Sequence, residues 1–261
     1  MRISLAQSDV RWEDKAANLL WVERQVAQWA GRTDLLVLPE MFSTGFSMNP
    51  ALAEPADGPT MERLRRLAAD GGMALAGSLA CSQHGRLFNR AFLLTPEGET
   101  AVYDKRHLFR MGGEAEVYSP GSSRQTVAYR GWNIRLAVCY DLRFPVWLRQ
   151  DGEPFDLLLV VANWPAARTR VWDVLLEARA IENQCYVCGV NRVGVDGRGW
   201  AYGGRSALVD ARGLPVLRLS DREAEVQTAE LNRENLQAFR CKFPVWKDAD
   251  SFVLPEAPPS A

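Results

Sequence analysis

The chain has 261 residues, 47% of them hydrophobic and 24% charged, and 31 Lys+Arg against 32 Asp+Glu leave a net charge of −1. That length suits one large domain or two small ones with a sizeable core, and the composition excludes a disordered chain. Balanced charge without a basic block argues against a nucleic-acid partner, and no apolar run approaches the roughly 18 residues of a membrane helix. The opening Met1-Arg2-Ile3-Ser4-Leu5-Ala6-Gln7 lacks the longer apolar region of a signal peptide. Five cysteines without a small disulfide framework fit a reduced, cytoplasmic protein.

Ile3 to Ala6 reads as a first strand, and Asp14 suits the N-cap of the helix that follows. In that helix Leu19, Leu20, Val22, Val26 and Trp29 form a broad apolar face, and Gly31 marks its end. Asp34-Leu35-Leu36-Val37-Leu38 is a short apolar strand of the kind covered on both faces, and it runs into Pro39-Glu40-Met41-Phe42. A carboxylate just past a buried strand stands where open α/β sheets place their sites; a solvated loop acid or helix cap is the alternative.

Pro59 to Ala69 reads as a second helix closed by Gly71-Gly72. Met73 to Ala80 and Leu87 to Leu94 read as strands joined by a turn at Gln83-His84-Gly85. Thr100 to Tyr103 is a further strand that leads into Asp104-Lys105-Arg106-His107-Leu108-Phe109, the second strand to end in ionisable residues. A wet loop is the plain reading of such a cluster. Gly112 to Gly121 has the composition of a functional loop or lid rather than a core element.

Ile134 to Val138 is β-rich and apolar, then meets Cys139 and turns polar before Pro145, a residue favoured in a helix's first turn. A thiol at a strand-to-helix turn has backbone N–H groups and a helix N-terminus nearby, which favour a thiolate and suit an oxyanion. A packing cysteine is the competing reading, since free Cys is among the most buried residue types. Phe155 to Val161 is a nearly continuous apolar strand ending in Ala162-Asn163-Trp164-Pro165. A helix over 166–184 carries Val171, Val174, Leu175, Ala178 and Ile181 at helical spacing, and Cys185 to Val190 is another strand. Arg205 to Leu208, Leu214 to Leu217 and Glu225 to Leu231 complete the strands, and Pro255 to Ala261 reads as a loose tail.

Two strand–helix–strand arrays without a composition break point to one domain over 1–254. No short sequence repeat is visible, but halves related in shape, each a sheet with helices outside, predict an α/β four-layer α-β-β-α sandwich. Its strand ends carry Glu40, Lys105 and Cys139, which together supply an acyl-transfer set. Cysteine is the nucleophile and needs its thiolate form. The glutamate takes the thiol proton and returns one to the leaving amine, and the lysine is a fixed cation for the oxyanion, helped by a backbone N–H after the nucleophile.

Leu38-Pro39-Glu40-Met41-Phe42, Tyr103-Asp104-Lys105-Arg106-His107-Leu108-Phe109 and Val138-Cys139-Tyr140-Asp141-Leu142-Arg143-Phe144-Pro145 resemble, in order and separation, the three motifs of the nitrilase superfamily, the carbon–nitrogen hydrolases. The match runs from the first strand to about Leu231. The resemblance implies the nitrilase-type sandwich and places the family's Glu, Lys and Cys on Glu40, Lys105 and Cys139. A second glutamate, which orients the lysine and substrate, falls on Glu114, with Glu116 two residues away as the alternative. The wording around Cys139 is similar to the amidase branches, above all the ω-amidases. This implies hydrolysis of the terminal amide of a 2-oxo-dicarboxylic acid monoamide such as 2-oxoglutaramate, through a thioester on Cys139. It further implies no metal or organic cofactor, a small-molecule amide as partner, and a homodimer built by helix packing. The substrate's far carboxylate needs a cation or amide donors, and Tyr140, Arg143, Asn163 and the wall residue Trp164 are the candidates. Arg143 as a structural ion-pair residue is an equal alternative.

Other readings compete. The same site suits an N-carbamoyl compound, a nitrile or another linear amide, and a non-catalytic interaction module would reuse the scaffold. Cys185-x-x-Cys188 has the spacing of a redox pair or half a zinc site, but residues three apart on a strand face opposite sides and no second ligand pair stands at zinc spacing, so both read as packing cysteines. Cys81 and Cys241 have no evident partner. His107 reads as a brace for the Lys105 loop rather than as the base of a Cys–His hydrolase.

Overall fold

The computed structural model describes residues 1–150 and 154–254, so the expected tail at 255–261 lies outside the described residues. Strand β1 (Arg2–Gln7) leads to helix α1 (Lys15–Trp29), whose first turn is capped by the Asp14 carboxylate accepting from Ala17 N at 3.0 Å. Then come β2 (Leu35–Val37), the short β3 (Glu54–Pro55), α2 (Pro59–Gly71), and the long hairpin of β4 (Ala74–Gln83) and β5 (Arg86–Leu94). The hairpin turns on two residues, His84 and Gly85, both at positive φ (50° and 72°), which matches the right-handed twist of its strands. β6 (Thr100–Asp104) and α3 (Glu114–Val117) follow.

The second half opens with β7 (Thr126–Tyr129) and β8 (Trp132–Val138), then α4 (Pro145–Leu148), β9 (Leu157–Ala162), α5 (Thr169–Asn183) and β10 (Tyr186–Asn191). A small ribbon of β11 (Val193–Val195) and β12 (Ala201–Gly203) precedes β13 (Ala207–Val209), β14 (Pro215–Arg218), β15 (Glu225–Glu230) and α6 (Arg233–Lys242). One sheet has the order β15-β1-β2-β4-β5-β6, with β3 beside β4, and the other has the order β14-β13-β10-β9-β8-β7. β1, β2 and β4 run parallel and β5 and β6 antiparallel; β8, β9 and β10 run parallel and β13 and β14 antiparallel. The two sheets thus share one topology, which is the relation in shape expected of the halves.

Side-chain alternation sorts the layers. Ile3, Leu5, Leu35, Val37, Ala76 and Leu93 share a core with the second sheet's Ile134, Leu136 and Val160, while Leu36, Leu38 and Leu75 pack with Val22 and Val26 of α1 and Leu64 of α2. The architecture is the expected four-layer sandwich. Cys185 and Cys188 are buried; Cys185 Sγ lies 4.0 Å from Arg179 O of α5, and Cys188 sits at opposite strand parity.

Several local expectations change. Leu20 of α1 is exposed, and α5 presents Trp172, Leu176, Arg179, Ala180 and Asn183 inward while Val174 and Ile181 face out. Apolarity alone selects the wrong side of α5, because its inner side is partly polar: Arg179 donates to Leu142 O at 2.7 Å, and the Asn183 side chain accepts from Gln150 N at 3.0 Å. The stretch 112–121 is not only loop, since it holds α3 with Glu114 fully buried. Strands β3, β7, β11 and β12 and helix α6 escape the sequence reading. In α6 only Leu236 is buried, too little for a visible apolar stripe.

Helix α5 rests on Gly189 of β10, where an added Cβ would stand 2.7 Å from Leu176 and 2.8 Å from Trp172. We expect Gly189→Ala to destabilise the fold by about 1–3 kcal/mol through overpacking. Thermal and urea unfolding measure this, and an unchanged midpoint would contradict the packing described.

Candidate active site

Four side chains meet where strand ends of the two sheets face each other. Glu40 follows β2 by three residues, Lys105 directly follows β6, Cys139 directly follows β8, and Glu114 opens α3. All four are buried. The Lys105 ammonium donates to Glu40 Oε1 at 2.8 Å and to Glu114 Oε1 and Oε2 at 3.0 and 2.9 Å. Asn89, on β5, donates from Nδ2 to both Glu40 Oε1 (2.7 Å) and Glu114 Oε1 (2.9 Å). The second Glu114 oxygen also accepts from Phe109 N at 2.6 Å. Glu114 therefore occupies the place beside the lysine, and Glu116 does not enter these contacts.

Cys139 sits at φ +44°, a left-handed backbone that non-glycine residues seldom adopt, at the start of a single 3₁₀ turn (Cys139–Arg143). Asp141 holds that turn. Its buried carboxylate accepts from Val138 N (3.0 Å), Tyr103 Oη (2.7 Å) and His107 N (2.9 Å), and it pairs with His107 Nδ1 at 2.8 Å. His107 stacks on Phe144, with ring centroids 3.7 Å apart. Its role is thus to tie the Lys105 loop to the Cys139 turn.

Charge in this dry space follows from burial. Burial opposes the Lys105 ammonium, but Glu114 and Glu40 outweigh it and hold the lysine charged, above its ordinary pKa. Burial raises the Glu114 carboxyl; Lys105 opposes this and Glu40 adds to it. Burial, then the neighbouring Glu40 carboxylate, push the Cys139 thiol well above its usual range, and Lys105 only partly offsets them. The resting sulfur is a neutral thiol. This corrects the expectation of a thiolate favoured by a helix N-terminus: the turn is one 3₁₀ turn, and the nearest charge includes carboxylates.

The site opens into a narrow pocket between the Cys139 turn, the Phe109 loop and the start of α5. Lys105, Cys139 and Asn163 line it together with aromatic walls from Phe46, Phe109, Tyr140, Trp164 and Trp200. Tyr140 and the expected wall residue Trp164 both line the pocket, and Trp164 is pinned by Nε1 donating to Arg168 O at 2.9 Å. Arg143 lies in the lining with its guanidinium 5.1 Å from the Trp164 ring centroid, and no described residue forms an ion pair with it. Asn163 departs from its expected role. Its N–H donates to Glu40 Oε2 (2.7 Å) and its Nδ2 to Glu40 O (2.7 Å), so its donors hold the glutamate rather than a ligand carboxylate.

Sequence reasoning passed over Asn89, Asp141, Phe46, Arg168 and Trp200. Asn89 had a usable signal, a polar side chain at an inward position of a β-rich run. Arg168 had another, a cation where a helix start favours Ser, Thr, Asp or Asn. Phe46 and Trp200 reach the pocket from loops and carried none.

A family model for carbon-nitrogen hydrolases matches residues 2–241. The chain is similar to the omega-amidase YafV of Yersinia enterocolitica, 44% identical over 254 residues that cover 97% of this chain and 98% of the other. It is also similar to a 2-oxoglutaramate amidase of Bacillus subtilis (strain 168), 31% identical over 251 residues covering 94% and 96%. Among solved structures, XC1258 from Xanthomonas campestris, a CN-hydrolase superfamily protein with an arsenic adduct in its active site, matches with TM-score 0.94 and 45% identity over 98% of this chain and 99% of that one.

The buried ammonium generates a prediction. In Lys105→Met, Glu40 and Glu114 face each other without a cation, and at neutral pH we expect a loss of about 3–5 kcal/mol of stability. Glu114, already raised by burial, then rises further, so the folded variant binds a proton more tightly than the unfolded chain. The deficit therefore shrinks as pH falls toward the ordinary carboxylate range and grows as pH rises through the folded-state pKa. Urea titrations at several pH values read this slope, and a pH-independent deficit would contradict it.

Proposed function

The chain belongs to the carbon–nitrogen hydrolase family and is an amidohydrolase acting on non-peptide C–N bonds, and from that premise we propose that it hydrolyses the terminal carboxamide of a small 2-oxo acid monoamide, such as 2-oxoglutaramate, through a thioester on Cys139. The observation that carries this reading is the closed Glu40–Lys105–Glu114 contact beside the Cys139 thiol, in a narrow pocket edged by arginine. The relatives' names, an omega-amidase and a 2-oxoglutaramate amidase, support the substrate class.

In this reading the resting thiol is neutral, so its proton passes to Glu40 as sulfur attacks the amide carbon. The developing oxyanion faces the Lys105 ammonium, with the Tyr140 N–H just past the nucleophile as second donor. Glu40 returns the proton to the departing nitrogen and ammonia leaves the acyl group on sulfur. Water then attacks the thioester with Glu40 as its base, releasing the acid and restoring the thiol. Glu114 keeps the lysine oriented and charged through all steps, and Asn163 and Asn89 keep the Glu40 carboxylate in place. A reducing, cytoplasmic setting suits the five free cysteines.

Cys139→Ala is expected to abolish ammonia release from 2-oxoglutaramate while keeping the far-UV spectrum and unfolding midpoint of the parent. Intact mass should show an acyl adduct on wild-type enzyme quenched during turnover and none on the variant. Full activity in the variant refutes the assignment. Comparison by kcat/KM with nitriles and N-carbamoyl amino acids tests the substrate class.

We also propose a homodimer built on α5. Val174 and Ile181 are seven residues apart on one exposed face, and Ile181 lies against Gly213, next to exposed Leu214 and to exposed Val216 of the edge strand β14. Sedimentation is expected to give twice the 29.2 kDa chain mass for the wild type and the single-chain mass for Val174→Glu/Ile181→Glu. A monomeric wild type would overturn this.

A further inference from the structure

Two arginines at the pocket lack the acceptor partners that buried and half-buried arginines elsewhere in the fold possess. Arg90 is held by both oxygens of Asp104 at 2.7 and 2.9 Å, and Arg218 by Asp173 and Glu177 at 2.7 and 3.0 Å. Arg143 and Arg168 are also half-buried, yet among the described residues no carboxylate or carbonyl accepts from either guanidinium. Each lies against an aromatic wall instead: Arg143 at 5.1 Å from the Trp164 ring centroid, Arg168 at 5.3 Å from that of Phe109. No Asp or Glu is among the residues lining this pocket. Contact with a ring face uses none of a guanidinium's N–H donors, which stay available to an anion.

Arg168 is also poorly placed for its helix. It is the N-cap of α5, where it makes no side-chain capping bond, and the first turn of α5 has no acidic residue. A cation at this end opposes the helix dipole, and Ser, Thr, Asp or Asn would cap better. Its backbone is nonetheless firmly fixed. Arg168 N donates to Pro165 O at 2.9 Å, Arg168 O accepts from the Trp164 indole, and Pro165 bridges to Tyr202 of β12. A side chain that gives its helix no cap, sits on a rigid turn, finds no acceptor among the described residues and faces the pocket is explained by a ligand.

We propose that Arg168 is a specificity-determining residue that, with Arg143, clamps the carboxylate and adjacent 2-oxo oxygen of the substrate and rejects the corresponding amino acid amide. This rests on the reading of the site as a 2-oxo acid monoamide hydrolase. Two guanidiniums satisfy a carboxylate flanked by a carbonyl, because all of the facing ligand atoms are acceptors. An α-ammonium in the 2-oxo position places a third positive charge against them and offers donors to donors. The clamp thereby separates 2-oxoglutaramate from glutamine, two molecules with the same reacting amide.

The test compares wild type, Arg168→Gln and Arg168→Lys on four amides: 2-oxoglutaramate, glutaric acid monoamide, the neutral diamide glutaramide, and L-glutamine. For Arg168→Gln, KM for the two monoanions is expected to rise roughly 10- to 100-fold, the size of a lost hydrogen bond to a charged group, with a much smaller change in kcat. The preference for 2-oxoglutaramate over glutaramide and over glutamine falls by a comparable factor, and Arg168→Lys restores part of it. The unfolding midpoint stays level or rises, since a poor cap has been removed. Equal losses on monoanions and diamide, or a preference that survives in Arg168→Gln, would overturn the clamp alone. A wild-type enzyme that turns over glutaramide as well as the monoanions would overturn the underlying substrate reading as well.

Discussion

The Lys105 ammonium, sealed between two carboxylates, is the interaction on which the rest of the site depends. A buried ammonium or carboxylate is expensive alone, and each is tolerable here only because opposite charge stands within 3.0 Å of it. The fold has to bring them there. Glu40, Lys105 and Glu114 come from three separate segments, and Asn89 links the two acids from a fourth. The long β4–β5 hairpin places Asn89, while the shared core of the two sheets sets the distance from this group to Cys139. Stability and the capacity for chemistry are therefore joined: disturbing the cluster strands charge inside the protein.

The two sheets meet at this point in a way their common topology explains. β2 and β9 hold matching places in their sheets, and the residues just beyond them, Glu40 and Asn163, bond across the gap through Asn163 N–H and Nδ2. One half contributes acid and ammonium, and the other contributes sulfur and the donors that hold the acid. Between them lies a thiol kept neutral by burial and by carboxylate neighbours, on a backbone held in the left-handed region by Asp141. A thiol of this kind is protected from adventitious chemistry and is activated only when its proton can move to an adjacent base as the sulfur bonds.

In the proposed reading, recognition is built separately from reaction. Sulfur and ammonium line the same pocket as aromatic walls and two guanidiniums that come from the Cys139 turn, the start of α5, the Phe109 loop and the loop residue Trp200. Differences in those loops can alter which amide is accepted without moving the reacting atoms.

Sequence alone determined most of the central strands, the four-layer sandwich and the strand ends that carry Glu40, Lys105 and Cys139. Each of these leaves a local mark: an apolar run of strand length, then a residue able to ionise or attack. Glu114 was legible only through resemblance, since its own surroundings read as loop. What only the tertiary structure decided rests on long-range contact. The inward side of α5 is partly polar because Leu142 O and Gln150 N supply partners there. The thiol's protonation depends on neighbours about 100 residues away in the case of Glu40. The donors of Asn163 are taken up by that same glutamate. Periodicity reports how a segment meets an average core; it carries no information about which distant polar group will occupy the remaining space, and that is what fixes charge and specificity here.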